Sequence, residues 1–201
     1  MNLPAVIPAL PHADRAEAYE QRAFGFWLYL MSDALIFALL FATYVVMAPN
    51  TDGGPTGQTL FSLSRAFVET LLLLFSSAAF GVAAVAMAAG KKAEVLRWLL
   101  VTFILGLAFV AMEIDEFRGM VLAGAGPDRS GFLSAFFTLV GTHGLHVSAG
   151  LIWILVMIGQ IAVKGLTAPV ASRLSRLGLF WHFLDIVWVG IFSVVYLPGV
   201  M

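Results

Sequence analysis

Apolar and polar residues fall in long blocks along this chain. Five apolar blocks run approximately over Phe24–Ala48, Ala66–Ala89, Leu96–Phe117, Phe132–Val163 and Leu177–Leu197. A hydrocarbon layer of about 30 Å takes about 20 apolar residues as helix. Each block reaches that length, so the pattern predicts five transmembrane helices in one all-α bundle. The fourth is longer than a perpendicular crossing needs, and must tilt or extend past the membrane surface. The breaks are sharp. "APNTDGGPTGQT" (48–59) and "GAGPDRSG" (124–131) are rich in Gly, Pro and Asp and read as loops. "AAGKKAE" (88–94) and "KGLTAPVASRLSR" (164–176) read as short basic connections. Residues 1–23 read as a flexible, polar N-terminal lead-in and residues 24–201 as the bundle. The lead-in has no basic stretch followed by a short apolar run, so it does not read as a cleaved signal peptide. There is no internal repeat.

Composition sharpens this picture. The 201 residues are 61% hydrophobic and 11% charged, with a mean hydropathy of +0.95. Soluble domains lie near 45–50% apolar and about 25% charged, so this is the composition of a polytopic membrane protein. A net charge of −1 suggests no nucleic-acid partner. The absence of cysteine excludes disulfides, thiolate metal sites and iron–sulfur clusters. Eight basic residues lie on the side of the N-terminus and the two basic connections. Three (Arg65, Arg118 and Arg129) lie on the other. That asymmetry predicts a cytoplasmic N-terminus and a periplasmic C-terminus. Two small-xxx-small pairs, Ser77 with Gly81 and Gly144 with Ser148, predict close helix packing. Trp27 and Trp98 read as interfacial anchors, while Trp181 and Trp188 fit either packing or lipid contact.

Ionisable residues inside spans are costly and therefore informative. Every predicted helix has one: Asp33, Glu69, Glu113 with Glu116, His143 with His146, and His182 with Asp185. The last three are i,i+3 pairs, each on one helical face. Counting along the helices puts Asp33 roughly 13 Å and Asp185 roughly 12 Å from the inner ends of their spans. An inner layer of Asp33, His146, His182 and Asp185 and an outer layer of carboxyl groups result, with His143 between. Three readings of the inner layer are open. His146 and His182 could be axial haem ligands on different helices. The acids and imidazoles could start a proton relay. Or they could be structural latches, each satisfied within the bundle, which is the default for buried polar pairs. A di-iron carboxylate site would need Glu-x-x-His pairs, and there are none.

The order of four strings adds a resemblance. "FWLYLMSDALIF" (26–37), "MEIDEF" (112–117), "FFTLVGTHGLHVSAGLIW" (136–153) and "FWHFLDIVWV" (180–189), taken together, resemble subunit III of the haem–copper respiratory oxidases. The likeness runs from about Phe24 to the end, and resembles the shorter five-helix form. "LYLMSDALIFALLFATY", "GGPTG", "ETLLLLFSS" and "GPDRSGFLSAFF" resemble more narrowly the cytochrome o ubiquinol oxidase branch. The resemblance implies a non-catalytic subunit of a complex that oxidises ubiquinol, reduces oxygen to water and pumps protons. It implies no cofactor on this chain, with haem b, an o-type haem and copper in subunit I. It implies subunits I, II and IV and phospholipids as partners, and a multi-pass place in the bacterial inner membrane. Asp33 falls where the family commonly has a buried Glu that reacts with a hydrophobic carbodiimide. Glu116 matches the family's acid at the end of the third span. His143, His146, His182 and Asp185 match its strings, and none of these is a metal ligand in that family.

Overall fold

The computed structural model describes residues 12–200 of the chain. Five helices are long and apolar enough to cross a membrane. They are α1 (His12–Met47), α3 (Leu63–Ala88), α4 (Lys92–Leu122), α5 (Gly131–Lys164) and α6 (Ala168–Ile191). A single turn, α2 (Gly57–Leu60), interrupts the loop after α1. The last helix runs on through a π-helical stretch, Phe192–Tyr196, into a final turn, α7 (Leu197–Val200). α5 and α6 form the middle of the bundle. α1 packs on both, α3 packs on α4 and α6, and α4 packs on α5. Connections are short, so successive helices are antiparallel. One end of the bundle holds the basic turns and the other holds the loops of residues 48–62 and 123–130.

Two expectations about boundaries change. The lead-in is not wholly irregular: helix α1 begins at His12, twelve residues before its apolar span. Residues 1–11 of that segment lie outside the described residues. The fifth helix starts at Ala168, inside the stretch predicted as a basic connection. The reason is local. Pro169 sits in the first turn, where its missing N–H costs nothing. Val170, Leu174 and Leu177 then follow at helical spacing and are all buried, while Arg173 reaches outward to donate to Gln160 Oε1 at 2.9 Å. The earlier start also moves Asp185 to seventeen residues from Ala168, about 26 Å along the helix rather than 12.

Short connections need helices that stop abruptly. α3 ends at Gly90 (φ 70°), where Lys91 N–H reaches back to Ala86 O at 3.0 Å. Only glycine takes that left-handed conformation without strain, and the reach-back satisfies a carbonyl left over at the helix end.

Close packing comes from other glycines than those expected. A Cβ at Gly81 would meet nothing within 4 Å, and one at Gly144 only Glu113 Cγ at 3.9 Å. Tight positions include Gly106 on α4 and Gly150 on α5, where a Cβ would come 2.9 Å from the two edges of the Trp181 ring, and Gly178 on α6, where it would come 2.8 Å from Phe80 Cε1 on α3. Trp181 and Trp188 are both buried, which decides for packing over lipid contact. Trp181 Nε1–H donates to Ser76 Oγ at 3.1 Å and Trp188 Nε1–H to Thr70 Oγ1 at 3.0 Å, both on α3. Trp27 and Trp98 remain exposed at the basic end.

A methyl group at Gly150 must displace an indole that Gly106 confines from the other side. Gly150→Ala is expected to destabilise the chain by about 1–3 kcal/mol, the range for overpacking. Gly81→Ala, facing open space, should stay within about 0.5 kcal/mol. Unfolding midpoints of the two variants in mixed detergent micelles check both.

Candidate functional site

Three polar groupings lie inside the bundle. The first is at the acidic end, between α3, α4 and the π-helical stretch. Arg65 Nη2 donates to Met112 O at 2.6 Å and to Asp115 Oδ2 at 2.9 Å, and Arg65 Nε lies 3.6 Å from Glu69 Oε1. Tyr196 O–H donates to Glu116 Oε2 at 3.0 Å. Glu69, Glu113 and Glu116 are all buried, and Glu113 has no hydrogen-bond donor to either carboxyl oxygen among the described residues. The guanidinium thus lies against one buried carboxyl group, Glu69, and bonds the exposed Asp115, while Glu113 and Glu116 lie deeper on α4. The π-helical stretch matters here. Leu197 N–H bonds to Phe192 O, five residues back, and this extra residue in the turn lets Val195 and Tyr196 both face inward. Pro198 follows at once and has no N–H to restore the ordinary pattern.

The second grouping centres on α5. His143 is fully buried between Phe109 and Trp188, and its Nε2–H donates to Leu184 O on α6 at 3.2 Å. A carbonyl only accepts, so the proton is on Nε2. His146 uses Nδ1–H to reach Thr142 O on its own helix at 2.8 Å. Its Nε2 lies 3.5 Å from Asp33 Oδ2 on α1. That contact is not a hydrogen bond, and Asp33 Oδ2 is buried with no hydrogen-bond partner among the described residues.

The third grouping lies between α3 and α6. Ser77 Oγ and His182 Nδ1 are 2.7 Å apart, and Asp185 lies beside both. His182 thus ties α6 to α3, as a latch between helices does, but the pair is not wholly enclosed. His182 and Asp185 meet across α6 only through Ser77, His182 is exposed on the outer surface, and Asp185 Oδ1 is buried without a donor among the described residues.

The eight residues singled out in the sequence therefore separate. Glu69, Glu113 and Glu116 come together. Asp33 joins His146, His182 joins Asp185, and His143 stands alone on a carbonyl. His146 and His182 belong to different helix interfaces. Among the described residues no three His, Asp or Glu side chains converge as a metal site would require. The sequence reading does not give Tyr196, Ser76 or Thr70, and it names Arg65 and Ser77 for charge and size but not as partners of the acids and imidazoles. Arg65 did give a signal, since it stands one turn before Glu69 on α3. Hydroxyl residues in a span carry no such signal, because most bond back to their own helix, as Thr70 does to Ala66 O.

These features define a class: a polytopic helical membrane protein with ionisable groups buried between its helices. The family described as cytochrome c oxidase subunit III matches residues 15–200. The chain belongs to that family, in the haem–copper respiratory oxidases. It is 58% identical over 88% of its length, and 86% of the relative's, to cytochrome bo(3) ubiquinol oxidase subunit 3 of Pseudomonas putida. It is 55% identical to the protein of that name from Pseudomonas aeruginosa, over 89% of this chain and 85% of the relative. With cytochrome c oxidase subunit 3 of Bacillus sp. (strain PS3) it shares 41% over 96% of this chain and 94% of the relative.

Arg65→Leu leaves Glu69 without its cation. The expected loss is about 2 kcal/mol, below that of a fully buried pair stripped of one partner because Arg65 is partly exposed. Tyr196→Phe removes one hydrogen bond and should cost about 1 kcal/mol. Detergent unfolding of both variants measures the ratio, and equal losses would contradict this account of the cluster.

Proposed function

We propose that this chain is the third, non-redox subunit of a bacterial terminal oxidase that oxidises ubiquinol, reduces oxygen to water and pumps protons. The observation that carries the reading is the 58% identity to a relative named as subunit 3 of a ubiquinol oxidase. Haem b, an o-type haem and copper belong to subunit I, and electrons do not pass through this chain. The geometry supports that division. Each of the three imidazoles within the spans has its own hydrogen-bond partner in this chain: His143 has Leu184 O, His146 has Thr142 O and His182 has Ser77 Oγ. Rings engaged in this way position helices. The chain lies with subunits I, II and IV, keeps subunit I supplied with protons and resistant to inactivation during turnover, and carries phospholipids on its apolar flanks. Its N-terminus faces the cytoplasm and its C-terminus the periplasm of the inner membrane, as the eight-to-three basic asymmetry favours.

A second donor has its own support, because the Bacillus relative is named for cytochrome c. Affinity purification of the complex through a tag on this chain, followed by assays with ubiquinol and with reduced cytochrome c, separates the two. Ubiquinol oxidation is expected. Removing the chain should leave the haem content and the initial oxygen uptake largely unchanged but shorten the active lifetime. Haem bands in the spectrum of the isolated chain would overturn the non-redox assignment.

A further inference from the structure

Two buried carboxyl groups in the bundle lack any hydrogen-bond donor. Glu113 on α4 is 3% exposed and Glu69 on α3 is fully buried, and none of their four oxygens meets a donor among the described residues. Glu69 has a cation beside it, Arg65 Nε at 3.6 Å, an atom that is itself buried and unbonded. Glu113 has neither donor nor cation in contact among the described residues. The groups that face it are few. α3 brings Arg65 and Glu69, its own helix brings Glu116 one turn on, and the π-helical stretch brings Tyr196. α5 brings Gly144, where a Cβ would stand 3.9 Å from Glu113 Cγ. His143, the residue before Gly144, gives its proton to Leu184 O. Arg65 has little left to offer, because its Nη2 already donates to Met112 O and to Asp115.

A carboxylate at Glu113 would be a buried charge with nothing to offset it, which is among the costliest things a protein interior can hold. The neutral acid asks for less. Its O–H needs one acceptor, and the neighbouring carboxyl groups are acceptors. Glu116 is placed differently. It accepts from Tyr196 O–H at 3.0 Å, so its ionised form has a donor waiting. It also lines a surface pocket of about 410 Å³, together with Arg65, Asp115, Arg118 and Gly119, at the end of the bundle that holds the long loops. A polar pocket of that size admits water. One carboxyl group is therefore sealed in and unpaired, while the next, one turn away, is supported as an anion and meets solvent. We propose that Glu113, Glu69 and Glu116 form a buried proton-binding site, in which Glu113 holds a proton and Glu116 exchanges protons with the pocket. The ligand is the proton. Exchange balances, because each hydron that Glu116 takes from pocket water is matched by one that it returns, and the cluster keeps its charge. The site lies away from the basic turns and does not depend on which donor the complex oxidises.

The test is infrared difference spectroscopy on the full chain, with the subunits that copurify with it, in lipid discs at neutral pH. Subtracting the spectrum of Glu113→Gln from that of the unaltered protein should leave the carbonyl stretch of a protonated carboxylic acid. Transfer to D2O should move that band, because the proton exchanges. Gly119→Phe fills the pocket from a position where a Cβ meets nothing within 4 Å. It should slow the deuterium shift about tenfold and leave the band itself in place. A difference spectrum with no protonated-acid band would overturn the proposal. So would a band that D2O never moves, the mark of a neutral acid merely sealed into the fold. Equal exchange rates in Gly119→Phe and the unaltered protein would overturn the passage through Glu116. If Glu113→Gln does not fold, the D2O shift of the unaltered protein and its slowing in Gly119→Phe still decide the matter.

Discussion

Two indole N–H groups on α6 fix how this bundle is assembled. In an apolar slab a buried donor without an acceptor is costly, and water is not there to take its place. Trp181 and Trp188 are seven residues apart, and their acceptors on α3, Ser76 and Thr70, are six apart. At 1.5 Å per residue these spacings are about 10.5 and 9 Å, so an antiparallel pair can meet both at once in only one register. His143 adds a third tie to the same stretch of α6 by donating to Leu184 O. The rings themselves set the remaining distances. α4 and α5 can close on Trp181 only because Gly106 and Gly150 carry no side chain there.

From that register the placement of the charged groups follows. With Trp188 seated, the helix continues past Ile191 and must still bring Tyr196 to Glu116. The π-helical stretch supplies the added rotation. The acids at that end are thus not a loose patch but a cluster closed by Arg65 on one side and Tyr196 on the other. The seating of Trp181 and Trp188 also leaves His182 on the outer surface beside Ser77. A chain that satisfies its tryptophans inward is left with ionisable groups outward. This is the arrangement expected of a component within a larger membrane assembly rather than of a bundle complete in itself.

Membership of the subunit III family and the scattered engagement of the imidazoles point the same way. Haem ligation would require His146 and His182 to face a common space. Instead one is turned to α1 and the other to α3. What the chain presents is shaped apolar surface, a few buried polar ties and one exposed imidazole.

Much of the architecture was legible in the residue order. The number of crossings follows from block length, because the bilayer sets one length scale for every helix. The turns follow from clustered Gly, Pro and Asp, and the candidate polar residues from the mere presence of charge in apolar blocks. The early start of α6 was not legible, since its amphipathic first turns resemble a basic loop in composition. Nor was the partnering. Small-residue spacing marked Ser77 and Gly81 but not Gly106 and Gly150, since an isolated glycine announces no neighbour. Whether Asp33 meets His146 or His182, and whether a polar face turns inward or outward, depends on the rotation of each helix about its own axis. That rotation is decided by which side chains interlock between helices far apart in the chain, and so only the tertiary structure could decide it.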